Sequence, residues 1–238
     1  MGATYRADMA RLRDIEGRTI EEASTGAYGR CFGNAELSRL ISRVQSLIIR
    51  NGLELEKLVT SFISPLLIAD LDDFLDAQIM QSGVRVATKA VVKKAQKMQG
   101  RLIEPDFLIF ERKGTSQNCY IVELKDGHEF DTKSSAKEQA NLNQFLSMNA
   151  MALQFFQSYI KVCGFNAQTR EEIYTGFKHK IDISQAMTGR EFCRILGINY
   201  ERILTLRAED REANYSDFLD ELMAMPDVRA ELTKRLSG

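Results

Sequence analysis

The chain has 238 residues, of which 44% are hydrophobic and 27% are charged, a composition typical of an ordinary globular protein. Its net charge of −1 excludes a strongly basic protein, so any contact with nucleic acid must come from a local group of cations. Four widely spaced cysteines without a Cys-x-x-Cys pair argue against a zinc site or a disulfide framework, and favour reduced thiols in the cytoplasm.

No linker rich in proline, glycine or serine divides the chain, which favours a single domain over residues 1–238. We expect a helical N-terminal part (1–83), a central part (84–180) and a helical C-terminal part (181–238). The longest apolar stretch is broken by Ser64-Pro65 and is too short to cross a bilayer, so no membrane contact is expected.

The N-terminal part has the pattern of amphipathic helices. Apolar residues recur at helical spacing between an N-cap signal at Asn34 and a stop signal at Asn51-Gly52. We expect a second helix over residues 53–62. A third helix is expected to begin after Pro65, because proline is tolerated in a first helical turn.

Six cations and no acid occur between residues 84 and 103. Ordinary exposed helices usually mix signs, so this pattern favours contact with phosphates over the alternative of a solubilising surface. Five of the cations recur four residues apart, and on a helix three or four neighbours in such a series share a broad face. These five are Arg85, Lys89, Lys93, Lys97 and Arg101.

Two apolar runs, residues 102–110 and 119–124, have the composition of β-strands and are joined by a polar connection. Asp106 stands in the first run, and Glu123 and Lys125 end the second. Residues i and i+2 of a strand share a face, so Glu123 and Lys125 point the same way. If the two runs pair as a hairpin, Asp106 comes within reach of Glu123.

The rest of the chain alternates between helical and strand patterns. We expect a helix over residues 136–160, a short strand over 172–177 and a helix that opens at residues 188–191. A strand is expected over 202–206, and amphipathic helices around Pro226. Helices before and after a short cluster of strands favour an α/β or α+β domain in which helices cover the sheet.

The acid-x-Lys pattern alone is weak, because it occurs at Glu111, Glu123 and Asp131. Glu111 follows Asp106 too closely for a hairpin return, and no apolar run leads into Asp131. Only Glu123 ends an apolar strand after a turn-rich connection. The plain alternative for this site is a hairpin with a surface Glu–Lys pair and a Pro-Asp turn.

Hard oxygen ligands such as Asp106 and Glu123 suit Mg²⁺, which keeps several waters and accepts phosphate oxygens. The bound ion lowers the pKa of its water, and Lys125 could orient that water and offset growing negative charge. Glu104 shares a face with Asp106 by the same alternation. It is a candidate extra ligand or general base, with a plain surface carboxylate as the alternative.

The segments Glu104-Pro105-Asp106 and Ile121-Val122-Glu123-Leu124-Lys125 resemble the catalytic signature of the PD-(D/E)XK nuclease superfamily, and particularly its type II restriction endonucleases. The resemblance covers residues 102–146. It implies an α/β (α+β) fold, a single nuclease domain with a central mixed β-sheet flanked by helices, and it makes residues 84–180 the catalytic core.

The resemblance also implies the roles of the site residues. Mg²⁺ would be held by Asp106, Glu123 and the backbone carbonyl of Leu124, and Lys125 would position the attacking water. Many members of the superfamily take another ligand from an N-terminal helix, for which Glu36 and Glu54 are candidates, although each is an ordinary surface residue in the plain interpretation.

These residues favour a Mg²⁺-dependent endonuclease that cuts double-stranded DNA at a specific sequence. A homodimer is expected, because duplex sites are commonly two-fold symmetric. Two alternatives stay open: a repair or resolvase-type nuclease that reads DNA shape, and a non-catalytic DNA-binding module. Further DNA contacts are expected from Lys133, Lys178, Lys180 and Arg190.

Overall fold

The structure is a computed structural model that describes residues 11–77, 81–100, 103–127 and 132–237. In chain order the helices are α1 (Ile20–Thr25), α2 (Ala27–Phe32), α3 (Ala35–Phe62), α4 (Leu71–Asp76), α5 (Lys89–Lys94), α6 (Thr132–Met148), α7 (Arg170–Gly176), α8 (Gly189–Leu196), α9 (Tyr200–Ala224) and α10 (Pro226–Leu236). The strands are β1 (Gly83–Thr88), β2 (Phe107–Lys113), β3 (Ser116–Lys125), β4 (Gln157–Gly164) and β5 (Ala186–Thr188).

The chain divides into two compact units. The first comprises Met1–Leu58 and Glu201–Gly238, and the second comprises Val59–Tyr200. The single domain over residues 1–238 stays a prediction. In the part of the chain that the structure describes, no helix is both long enough and apolar enough to cross a membrane.

The first unit is helical and is organised around a small apolar core. Its buried members are Leu12, Ile15, Leu40, Leu47 and Met225. Arg43 of α3 connects separate segments of this unit. Its guanidinium donates a hydrogen bond of 2.8 Å to the carbonyl of Ile15 and forms an ion pair with Glu221 of α9.

The predicted helix stop at Asn51-Gly52 is wrong, because α3 continues to Phe62. Gly52 lies in the middle of this helix and is exposed. Leu55 and Leu58 beyond it are each 1% exposed, so the apolar period of the helix continues past the glycine. The helix predicted to begin after Pro65 does not start there: Pro65 lies within a short 3-10 helix, Ser64–Leu66, and α4 begins at Leu71.

The second unit contains a five-stranded mixed sheet with the order β1-β2-β3-β4-β5. Strands β1, β2 and β3 are antiparallel neighbours, whereas β4 and β5 run parallel to β3. Apolar residues of α4, α5, α6 and α7 belong to the same buried core as the alternate strand residues Leu108, Phe110, Ile121 and Ile160. The predicted α/β fold, a central mixed sheet flanked by helices, is confirmed.

The predicted cationic helix is wrong. Arg85 lies on β1, α5 contains Lys89 and Lys93, and Lys97 follows that helix. Val86 and Ala87 are neighbours on β1 and both are fully buried, as expected of a strand that is covered on both faces, and Val86 pairs with Ile109 of β2. The spacing of four between cations therefore does not correspond to one helical face.

The hairpin that was predicted from the two apolar runs is present, but its strands have different bounds. Strand β2 begins at Phe107 and reaches Lys113, and β3 begins at Ser116. The turn between them is therefore short, and Gly114 adopts a φ of 62°, in the left-handed region that glycine enters without strain.

Three further predictions of secondary structure are wrong. The expected helix over residues 136–160 ends at Met148, and β4 follows at Gln157, where Ile160 and Val162 alternate into the core. Residues 172–177 fall mostly within α7, which Thr169 caps. Residues 202–206 lie in α9. The helix that opens at Thr188 is confirmed, and so are the helices around Pro226.

Candidate active site

The pairing of β2 with β3 brings Asp106 and Glu123 to the same end of the hairpin. The last pair in the register joins Phe107 to Val122; Asp106 directly precedes Phe107, and Glu123 directly follows Val122. Asp106 is 4% exposed and Glu123 is 6% exposed. Two carboxylates are thus held away from water at neighbouring positions, an arrangement that needs cations nearby.

Asp106 is fixed by contacts on both of its carboxylate oxygens. Its Oδ2 accepts a hydrogen bond of 2.8 Å from the backbone N–H of Leu124, and its Oδ1 lies 3.4 Å from the Lys89 Nζ. The backbone N–H of Lys89 also donates to the Asp106 carbonyl at 3.0 Å. Lys89 was predicted as a contact to DNA phosphates, and the structure places it beside Asp106.

Lys125 lies between two carboxylates. Its Nζ is 2.5 Å from Oε1 of Glu123 and 3.2 Å from Oε1 of Glu138, a residue of α6. The shared face of Glu123 and Lys125 that strand alternation predicts is therefore observed as a direct contact. No role was predicted for Glu138 from the sequence.

The ionisation of this group follows from its burial. Burial raises the pKa of Glu123, and a hydrogen bond shared with Glu138 and the charge of Asp106 raise it further. That hydrogen bond, together with the nearby lysines, leaves the pKa of Glu138 below its ordinary value despite partial burial. Burial alone would lower the pKa of Lys125, but the adjacent carboxylates outweigh it and the net shift is upward.

Glu104 contributes a further oxygen at this end of the hairpin. Its Oε1 is buried and has no hydrogen-bond partner among the described residues. A buried carboxylate oxygen without a donor is costly, and a bound cation would satisfy it. This oxygen therefore favours Glu104 as an extra ligand or general base over the alternative of a plain surface carboxylate.

No cluster of three or more His, Cys, Asp or Glu side chains suited to a metal occurs in the described ranges. The oxygen donors at the hairpin nevertheless fit Mg²⁺, which uses few protein ligands and keeps several waters. The fit rests on the buried carboxylates of Asp106 and Glu123 and on the unsatisfied oxygen of Glu104.

The remaining cations from the sequence analysis lie at several places. Arg85, Lys93, Lys178, Lys180 and Arg190 are exposed, and the Arg190 guanidinium lies 4.9 Å from the ring centre of Tyr200. Lys97 pairs with Asp76 of α4, so an acid distant in the sequence offsets its charge. Arg101 and the side chain of Lys133 lie outside the described residues.

The two candidate ligands from an N-terminal helix, Glu36 and Glu54, both belong to α3 in the first unit. Glu36 lines a cavity of about 350 Å³ together with Arg39 and Arg43 of the same helix. Glu54 is 9% exposed. A ligand role for either residue stays a prediction.

A signal for Glu138 does exist in the sequence. Leu142 and Phe145 follow it by four and seven residues and are buried, and Ser135, three residues before it, is also buried. Glu138 therefore falls on the inward face of α6, where an acid is unusual. The signal is an acidic residue at the same helical spacing as the buried residues of α6, rather than on the opposite face of that helix.

Comparison with known proteins identifies the family. The chain is 38% identical over 232 residues to the type II restriction enzyme HhaII of Haemophilus parahaemolyticus, and the match covers 95% of this chain and 99% of that enzyme. No protein-family model matches the chain, and no solved structure matches it. An identity of this level over nearly the whole length of both proteins shows that the chain belongs to the type II restriction enzymes, which are site-specific deoxyribonucleases.

Proposed function

We propose that the chain is a Mg²⁺-dependent endonuclease of the PD-(D/E)XK type that hydrolyses phosphodiester bonds of double-stranded DNA at a specific sequence. The observation that carries this proposal is the group formed by buried Asp106, buried Glu123 and Lys125 at one end of the β2–β3 hairpin. Membership of the type II restriction enzymes supports it, because these enzymes generally use a divalent metal.

In this proposal Asp106, Glu123 and the backbone carbonyl of Leu124 hold the ion, with Glu104 as a further ligand. The direction of the Leu124 carbonyl is supported by the hydrogen bond from its own N–H to Asp106. In an extended strand the N–H and C=O of one residue point to the same side, so this carbonyl also faces Asp106. The ion would supply Lewis-acid polarisation of the phosphate and a more acidic water.

The protein residues have separate tasks around the scissile phosphate. Lys125 has three N–H donors, of which two contact Glu123 and Glu138. The third is available to orient the attacking water and to stabilise negative charge that grows on the phosphate. Because the carboxylates beside it are buried, little bulk water reaches them and electrostatic interactions with the phosphate are strong.

The DNA duplex would be held by cations that contact its phosphates. We assign this role to Arg85, Lys89, Lys93, Lys97, Arg101, Lys133, Lys178, Lys180 and Arg190. Phosphate contacts fix the position of the duplex and carry no sequence information, so they predict salt-dependent affinity on any DNA. Lys97 is expected to contribute least, because Asp76 already offsets its charge.

We further propose that the enzyme acts as a homodimer, since a two-fold symmetric duplex site presents the same bases to two identical subunits. A cytoplasmic location is also proposed. It is supported by the four cysteines, which are free thiols in the structure, three of them buried.

The proposal is tested by incubating the protein with long duplex DNA in Mg²⁺ and sequencing the ends of the products. We expect discrete, reproducible fragments, no cleavage when the metal is chelated, and no cleavage by Glu123→Ala or Lys125→Ala. A matched control is Glu231→Ala, which removes an exposed acid of an ion pair on α10 and should leave the fragments unchanged.

Other outcomes would identify the alternatives. Smeared products, or cleavage only at junctions, would indicate an enzyme that reads DNA shape. Binding without cleavage by the intact protein in Mg²⁺ would indicate a non-catalytic module. If Glu123→Ala and Lys125→Ala both cut as well as the unaltered protein, the proposed site is wrong.

A further inference from the structure

We propose that Glu138 is a positioning residue that holds the Lys125 ammonium in place for the attacking water. This inference rests on the function proposed above and extends its site from the β2–β3 hairpin to helix α6. Glu138 would act through Lys125 and would not itself bind the metal ion.

The first support is the position of Glu138 within α6. It shares the inward face of that helix with Ser135, Leu142 and Phe145, which are 1%, 2% and 0% exposed. Removing a carboxylate from water is costly unless a cation accompanies it. The Lys125 ammonium, 3.2 Å from Oε1 of Glu138, is that cation.

The second support is the geometry around Lys125. Its ammonium has one carboxylate on its own strand, Glu123 at 2.5 Å, and a second on α6. The lysine side chain has a flexible stem with four carbons, so a single contact leaves its charged end free to swing. Two contacts from different elements fix the position of the nitrogen and the direction of its third N–H.

The two carboxylates have different tasks once a divalent ion is present. Glu123 is the more buried of the two, at 8% side-chain exposure against 27% for Glu138, and it adjoins Asp106. If Glu123 held the ion, its oxygens would bind Lys125 less strongly, and Glu138 would be the contact that keeps the ammonium beside the reacting phosphate.

The experiment compares Glu138→Gln and Glu138→Asp with the control Glu231→Gln, which removes the same charge from an exposed Glu–Arg pair on α10. Single-turnover cleavage, DNA binding and Mg²⁺ binding by calorimetry are measured for each. We expect Glu138→Gln to slow cleavage about 10- to 100-fold through misplacement of Lys125. Its DNA affinity should stay within about twofold of the unaltered protein, and its Mg²⁺ affinity should fall by no more than about fivefold, because Glu138 would contribute nearby negative charge but no ligand oxygen.

Glu138→Asp keeps the charge on a shorter side chain and should recover part of the lost rate. Thermal unfolding of all three variants is compared in parallel, so that a variant that cuts slowly because it fails to fold is recognised. A tenfold or larger loss of Mg²⁺ affinity in Glu138→Gln would overturn the proposal by making Glu138 a ligand. An unchanged cleavage rate would also overturn it.

A second readout does not depend on cleavage. The rate at which acetic anhydride modifies Lys125 is measured by mass spectrometry in the metal-free protein, with exposed Lys113 at the end of β2 as the internal reference. Loss of an anchoring carboxylate should raise the rate at Lys125 several-fold relative to Lys113. An equal rate in Glu138→Gln and the unaltered protein would show that Glu138 does not hold Lys125, whether or not the protein cuts DNA.

Discussion

The Asp106 carboxylate accepts a hydrogen bond of 2.8 Å from the backbone N–H of Leu124, the residue between Glu123 and Lys125. One side chain thus joins the residue directly before β2 to the backbone of the acid-x-Lys segment on β3. Because Asp106 is nearly fully buried, water does not compete for this contact. The hydrogen bond therefore links the two halves of the proposed signature before any metal binds.

The first prediction separates the charge of Asp106 from its hydrogen bond. Asp106→Asn keeps an oxygen that can accept from Leu124, whereas Asp106→Ala leaves that buried N–H without a partner. We expect both variants to lose cleavage, and Asp106→Ala also to lose about 1–3 kcal/mol of unfolding free energy. Urea unfolding and cleavage assays check this, with exposed Asp73→Asn as the control. Equal stability of the two Asp106 variants would contradict it.

The second prediction concerns the pH dependence of the metal-free protein. The pKa of Glu123 is raised by burial above its ordinary value of 4.5, so the folded state binds this proton more tightly than the unfolded chain. The stabilisation is present below about pH 4.5 and is lost as the pH rises toward the folded-state pKa. Glu123→Gln should therefore flatten the fall in stability above neutral pH, and should raise the melting temperature there.

Thermal unfolding between pH 6 and pH 9, with metal removed by chelation, measures this difference. The control Glu231→Gln should keep the slope of the unaltered protein. If the stability of Glu123→Gln falls with pH as steeply as that of the unaltered protein, ionisation of the buried Glu123 does not limit the stability of the metal-free site.

The third prediction is that Lys89 competes with the metal for Asp106. Its ammonium lies 3.4 Å from Oδ1 of Asp106. Removing this charge by Lys89→Met should tighten Mg²⁺ binding about two- to fivefold in the absence of DNA, since a half-exposed ion pair is weak. Lys93→Met, on the same helix, serves as the control for net charge. Weaker Mg²⁺ binding by Lys89→Met would contradict this role.

The parts of the fold that are visible in the sequence are those decided by local pattern. The run from Cys119 to Leu124 lies within β3, and the capping signal at Thr188 does open α8. The failures come from segments in which a pattern is too short to be decisive. Phe156 and Ile160 continue the helical spacing of the preceding segment, but Ile160 and Val162 also fit a strand alternation, and the parallel pairing with β3 decides the outcome.

The site shows the same division between local and distant contacts. Glu123 and Lys125 are two residues apart, and strand alternation alone places them on one face. Lys89 and Glu138 reach the same site from α5 and α6, so their roles depend on where those helices pack. Lys97 likewise pairs with Asp76, which lies outside the segment of six cations. The charge of residues 84–103 alone therefore overestimates the positive charge that is free to contact DNA.

The last prediction uses two glycines in opposite environments. Gly52 lies in the exposed middle of α3, and a Cβ added there meets no atom within 4 Å. Gly189 opens α8, and its added Cβ would lie 2.2 Å from the backbone oxygen of Phe165. Backbone cannot yield as a flexible side chain does, so the two replacements by alanine should have opposite effects.

Gly52→Ala should stabilise the protein by about 0.5–1 kcal/mol, because alanine has the higher helix propensity and restricts the unfolded chain. Gly189→Ala should destabilise it by about 1–3 kcal/mol or more, because β5, α8 or the Phe165 backbone must shift. Urea unfolding of both variants against the unaltered protein measures the difference. A stable Gly189→Ala would mean that α8 does not pack against the Phe165 carbonyl as described, and an unstable Gly52→Ala would mean that α3 is not continuous through residue 52.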